Sequence, residues 1–280
     1  MNLDIVQLYK EFSNLRFAGI KEQSVKIMGE IIKGKKVEDE KLFVIEGLWG
    51  YEKIIKSNIK IRSFAFCPEF IKNNSMLEIV RYNISAADNS YLISRKLCSR
   101  LSSRDGSEGF FLLCSFPEYN LDDIKLEENK LLVILDGLEK PGNIGTIIRS
   151  LDGAGGDGVI ICNSNVRRTN HKLIKSSMGS SFVIPVIKSD IIKTVKWLKS
   201  NGFRIIVTDL NATKSYYNTE YKGRIAIVAG NERYGISDIW NQHECERVII
   251  PMLGGADSLN VGVAASLVIY EASYRQRELV

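Results

Sequence analysis

Residues that hold metals and disulfides are scarce in this chain. Its 280 residues include two histidines, His171 and His243, and five cysteines: Cys67, Cys98, Cys114, Cys162 and Cys245. The cysteines are odd in number, scattered and never spaced as C-x-x-C, which argues against a disulfide framework or a zinc site. They read as small buried side chains in a protein of the reducing cytoplasm, with no metal expected. The two histidines read as surface residues. No apolar run reaches about 18 residues, so no membrane span or membrane partner is expected. The opening MNLDIVQLYKEF lacks an apolar core and carries acids early, so it does not read as a signal peptide.

A strong charge of one sign is also missing. The net charge of +5 divides as +3 over residues 1–120 and +2 over 121–280, a mild bias that permits a nucleic-acid partner without requiring one. The one match to G-x-G-x-x-G, through Gly153, Gly155 and Gly158, stands between a predicted helix (144–154) and a predicted strand (158–162). A dinucleotide loop needs the reverse order, strand then helix. These glycines therefore read as an ordinary turn, and no NAD-type cofactor is expected.

What is present suits a globular α/β protein, with 45% hydrophobic and 25% charged residues. Residues 1–40 read as helical, and 41–116 as short strands (KLFVIEG, IRSFAF, FFLLCSF) alternating with helices, including one over ISAADNSYLISRKLCSRLS. Together 1–116 form a helical segment and a small α/β domain. The polar stretch 117–130 reads as a linker. Residues 131–280 carry apolar strands (LLVILD, GVIIC, FRIIVTDL, RIAIVAG, RVIIPM, with FVIPV a further candidate) separated by helices, the pattern of a parallel sheet covered on both faces.

Three stretches place polar residues at strand ends, where open α/β sheets bind ligands. In DGLEKPGNIGTIIRS, Asn143 is positioned to cap a helix, Gly145 permits close approach, and Arg149 lies in the helix body. In AGNERYGIS, an amide and a carboxylate stand on a flexible loop. In IPMLGGADSLNVGVAAS, Gly254 and Gly255 form a loop, Ser258 is a candidate helix cap, and Asn260 falls in the first turn. Read alone, each is compatible with plain capping and surface roles.

Taken in order, PGNIGTIIRS, GNERYGIS and IPMLGGADSLNVGVAASLVIYE resemble the three motifs of the SpoU (TrmH) family of RNA ribose methyltransferases, over about residues 131–277. The resemblance implies a parallel α/β sheet closed by a C-terminal trefoil knot, and a small ribosomal-protein-like substrate-binding domain before it. It implies S-adenosylmethionine as cofactor, held by Gly230, Ile250 and Leu259, with Asn231, Thr208 and Met252 beside them. The family's catalytic set maps onto Asn143, Arg149, Glu232, Ser258 and Asn260. Arg233-Tyr234 and Gly262 depart from the common pattern without removing a functional group.

The implied reaction is methyl transfer to a ribose 2′-hydroxyl. An arginine with a pKa above about 12 is a poor base, so Arg149 is assigned to clamping a phosphate and polarising the hydroxyl. Asn143, Glu232 and Ser258 would orient it. The weaker likeness of NLRF and KLFVIEG to ribosomal-RNA-modifying and resistance enzymes favours ribosomal over transfer RNA. A base methyl acceptor and a non-catalytic RNA-binding assembly factor are the rivals. Lys96, Arg100, Arg104, Arg167, Arg168 and Lys175 are candidate phosphate contacts. The segment from Ser258 to about Arg277 is apolar on nearly every face, which calls for cover on two sides and, with the resemblance, for a homodimer through the knot.

Overall fold

The computed structural model describes residues 5–57, 59–102 and 108–277, and divides into two compact units. One comprises Met1–Pro117 with Thr169–His171, and the other Glu118–Arg168 with Lys172–Val280.

The first unit runs α1 (Ile5–Glu11), β1 (Leu15–Phe17), α2 (Gln23–Ile32), β2 (Leu42–Glu46), α3 (Tyr51–Lys56), β3 (Ile61–Phe66), α4 (Asn74–Ala86), β4 (Asn89–Leu92), α5 (Arg95–Leu101) and β5 (Phe110–Ser115). Its sheet has the order β1-β4-β3-β5-β2; β1, β4 and β3 are parallel, and β5 is antiparallel to its two neighbours. Val25, Met28 and Ile31 of α2 pack against Val44, Ala65, Tyr91 and Phe111 of the sheet. Two expected helical stretches are interrupted. β1 breaks residues 1–40, and β4 breaks the helix expected from Ile84 to Ser102. Both strands are very short; β1 pairs only with β4 among the described residues (Leu15 with Ser90, Phe17 with Leu92), and β4 lies between β1 and β3. A partner some 75 positions away leaves no local period to read. α5 then starts afresh, its cap Ser94 accepting the amide of Leu97 at 3.3 Å.

The second unit runs β6 (Lys130–Asp136), α6 (Pro141–Gly153), β7 (Gly158–Cys162), α7 (His171–Ser176), β8 (Val186–Lys188), α8 (Ile191–Ser200), β9 (Arg204–Thr208), β10 (Arg224–Gly230), β11 (Glu246–Val248) and α9 (Val261–Gln276). Its six strands, in the order β11-β9-β10-β6-β7-β8, are all parallel. Alternate residues face opposite layers. Leu131, Val133 and Leu135 of β6 join α6 and α9 in one core, while Leu132 and Ile134 join α8, Phe203 and Trp240 in the other. That is why these strands are apolar without interruption.

Three expectations are corrected in this unit. The linker at 117–130 is partly packed: Leu121 and Ile124 are buried in the second core, and Asn120 and Asp123 form a reciprocal capping box. Of FVIPV only its last residue, Val186, is in a strand, and there β8 begins. Ser180–Phe182 forms a single tight turn, and Pro185, which has no amide for a ladder, precedes β8. The apolar helix begins at Val261, not at Ser258. The reading of GAGGDG holds: α6 ends at Gly153, β7 begins at Gly158, and Gly155 between them has φ +68°.

Candidate active site

Because all six strands run one way, Asp136, Cys162, Thr208, Gly230 and Val248 end on one edge of the sheet. The site residues gather on that edge, each carried there for a local reason.

α6 opens with Pro141 at its first position, where a missing amide and a fixed φ cost nothing. The residue before it, Lys140, provides no side-chain cap. Asn143 does not cap the helix either, contrary to the sequence reading. Standing in the first turn, it turns its side chain outward, donating to Glu232 and accepting from Asn260 Nδ2 at 3.3 Å. Gly145 does permit close approach, but of α7. A Cβ there would lie 1.9 Å from Ser176 Oγ and 2.6 Å from the Leu173 carbonyl.

The second stretch is a tight loop. The backbone of Asn231 exchanges hydrogen bonds with that of Gly235 at 2.8 and 2.9 Å. A Cβ on Gly230 would come within 2.5 Å of the Gly235 carbonyl carbon, so only glycine fits. Asn231 spends its side chain within the protein. Its oxygen accepts the amides of Arg233 (2.8 Å) and Tyr234 (3.2 Å), and its nitrogen donates to the Gly137 carbonyl at 2.7 Å. It therefore shapes the loop on which Glu232 stands, with Lys140 Nζ 3.6 Å from the Glu232 carboxylate.

In the third stretch the cap is Asn260, whose side chain accepts the amide of Gly262 at 2.9 Å. It lies one position before the helix, not in its first turn. Ser258, the expected cap, is exposed two residues earlier. Ile250 packs on the first core, and Met252 is half-buried. Among the described residues, 251–259 make no hydrogen bond to the rest of the chain, and eight of the nine are exposed. Leu253 is 99% exposed. Free backbone amides and carbonyls beside apolar side chains form a surface ready for a ligand or a second protein face.

Asn143, Glu232 and Asn260 thus meet, although they come from three separate segments. Arg149 does not join them within the chain. It is exposed in the body of α6, and its guanidinium makes no hydrogen bond or ion pair among the described residues. Thr208, at the end of β9, donates its hydroxyl to the Val228 carbonyl at 3.0 Å. Leu259 is exposed.

The candidate phosphate contacts differ in kind. Lys96 and Arg100 are exposed on α5, one turn apart, and Arg104 lies outside the described residues. Arg167 and Lys175 are half-buried. Arg168 donates to the Val186 carbonyl at 2.9 Å, and burial lowers its pKa. His171 and His243 are half-buried, not fully at the surface.

Sequence reasoning missed Asp136, which is 2% exposed and accepts hydrogen bonds from Asn163, Ser237 and Trp240. A lone acid ending an apolar strand carries no pattern that would flag it. At the end of β7, burial pushes the Cys162 thiol up to about 11, so it is no nucleophile at neutral pH. Among the described residues no three His, Cys, Asp or Glu side chains form a group able to hold a metal. Nor is any described helix long and apolar enough to cross a membrane.

Comparison with known proteins identifies the family. Residues 130–270 match the SpoU rRNA Methylase family. A 23S rRNA (guanosine(2553)-2′-O)-methyltransferase, RlmP, of Bacillus subtilis is 27% identical, covering 89% of this chain and 96% of its own length. A TrmH-family tRNA/rRNA methyltransferase of Staphylococcus aureus is 35% identical over 75% of this chain and 86% of its own. The crystal structure of an AdoMet-bound rRNA methyltransferase from Sinorhizobium meliloti superposes with a TM-score of 0.83, over 95% of this chain and 99% of its own, at 24% identity. That last likeness speaks for the shared fold.

Proposed function

Because this chain belongs to the SpoU rRNA methylase family, we propose that it methylates a ribose 2′-hydroxyl of large-subunit ribosomal RNA, using S-adenosylmethionine. The observation that carries this reading is the meeting of Asn143, Glu232 and Asn260 at the carboxyl edge, beside a stretch with unspent backbone groups.

The residues present fit the cofactor. Ile250, Met252 and Leu259 offer apolar contact for an adenine, and the free main chain of 251–259 offers donors and acceptors for its edge. Gly230 closes the floor at the end of β10. When bound, the cofactor supplies an activated methyl group whose leaving group is a neutral thioether. The protein must then place the hydroxyl in line and help its proton leave. Arg149, exposed and without a side-chain partner among the described residues, grips an RNA phosphate and polarises the hydroxyl. Asn143 and Asn260 hold Glu232 toward the nucleotide, and Ser258 contributes its free hydroxyl.

The same reading makes 1–116 the substrate-binding domain, with Lys96 and Arg100 among its phosphate contacts, and 131–280 the methyltransferase domain. It has the loop before α9 passing through the C-terminal knot of the family. It also makes the protein a cytoplasmic homodimer paired through α9, with no metal. Support for pairing comes from Val263, Leu267, Tyr270 and Tyr274, which form one stripe on α9 and are each between 39% and 48% exposed.

Labelled S-adenosylmethionine, purified protein and either ribosomal or transfer RNA test the activity. Nucleotide-resolution mapping of ribose methylation in cells with and without the gene then finds the position. One gene-dependent 2′-O-methyl group in large-subunit RNA is expected. Label in transfer RNA alone would move the substrate, and absence of cofactor binding would make the protein an RNA-binding assembly factor.

A further inference from the structure

Asp136 ends β6, the central strand beside Gly230 of β10, and is almost wholly buried. Among the described residues no basic side chain pairs with it. Burying a carboxylate costs several kcal/mol before compensation, and an asparagine or an apolar residue would be easier to place. Compensation comes from four donors. Asn163 Nδ2 reaches one carboxylate oxygen at 2.7 Å. The Ser237 amide (2.7 Å), the Ser237 hydroxyl (2.6 Å) and the Trp240 indole (3.0 Å) reach the other.

These donors come from two loops at the working edge. Asn163 follows β7 and sits in the left-handed region at φ 52°, a conformation costing about 1 kcal/mol or more that its hydrogen bond to Asp136 helps sustain. Ser237 ends the Glu232 loop. The residue after Asp136, Gly137, offers the carbonyl that receives Asn231 Nδ2. Next, the Leu138 carbonyl accepts Ser164 Oγ at 2.5 Å. The Glu232 loop is therefore pinned at both ends, Asn231 to Gly137 and Ser237 to Asp136. Glu232 stands between the pins, and the segment they grip leads directly into α6 and Asn143.

We propose that Asp136 is a positioning residue for methyl transfer: it fixes the Glu232 loop against the segment that carries Asn143, so that the two side chains meet in working register. This rests on the reading of the site as a ribose methyltransferase centre. Asp136 touches neither RNA nor cofactor, so its loss acts on turnover through Glu232 and leaves binding alone.

A double-mutant cycle on kcat tests it, with the RNA KM and the cofactor Kd measured alongside. Asp136→Ala should lower kcat roughly tenfold or more, with KM and Kd changing less than about threefold. In a Glu232→Ala background the same substitution should cost less than about threefold, because the residue it positions is gone. Should Asp136→Ala fail to fold, Ser237→Ala removes one donor but keeps the backbone amide. It should then give a smaller loss of kcat that likewise vanishes in the Glu232→Ala background. Losses that multiply in full in an active enzyme overturn the positioning role alone. A folded wild type inactive on every RNA overturns the functional reading, and this role with it.

Discussion

Arg149 and Asn143 lie on the same helix yet have opposite situations. Asn143 is engaged with Glu232 and Asn260, whereas Arg149 has no partner among the described residues. A guanidinium left unpaired at the surface suits a phosphate that arrives with the substrate. Arg149→Ala should abolish methyl transfer and leave S-adenosylmethionine affinity within about twofold by calorimetry. Affinity falling as far as turnover would place the residue on the cofactor instead. At this scale the sequence was legible wherever chemistry travels with a motif. Asn143, Glu232 and Asn260 are named by their stretches and do meet. Asp136 was not legible, because its donors lie 27, 101 and 104 positions away and only the folded sheet collects them.

Helix α9 depends on a side chain that also belongs to the site. Asn260 caps it through Gly262 and reaches Asn143 with its other side-chain atom. Asn260→Ala should therefore cost about 1 kcal/mol of stability as a lost cap, read by denaturant unfolding, and lower turnover as well. A variant as stable and as active as the parent would sink both roles. The β9–β11 pairing has a different dependence. Burial pushes Glu246 up, but hydrogen bonds from Lys214, Arg204 and Thr219 outweigh it and hold the carboxyl below its usual range. A carboxylate depressed in the folded state adds stability above its unfolded value of about 4.3, and that stability is lost as pH falls through the folded value. Glu246→Gln should lower the Tm at neutral pH and match the parent in acid; an equal deficit at both would refute it. Elements were legible where burial is two-sided and continuous, as in LLVILD and RIAIVAG. They were hidden where a strand of three or four residues borrows its identity from a distant partner, as in β1 and β4.

For the whole molecule, the stripe of Val263, Leu267, Tyr270 and Tyr274 leaves one side of α9 exposed among the described residues. Leu267→Lys should convert a stable dimer into a species near the 31.5 kDa of one chain and reduce turnover, both read by light scattering with activity. A parent that is already monomeric and active would end the proposal of pairing. The common direction of the six strands has one more consequence. It gives the second unit a polarity: Asn143, Glu232 and Asn260 meet at one rim, and the turns at 153–158 and 201–203 lie at the opposite rim, the first of them held by Arg277 of the chain after α9. The turn at 201–203 can then be lengthened without disturbing the reaction, whereas 153–158 is tied down by Arg277 and Asp157. Gly202, whose side-chain direction is open, is a suitable place for a short glycine-serine insertion. Such a protein should retain full turnover, whereas the same insertion between Gly254 and Gly255 should abolish it.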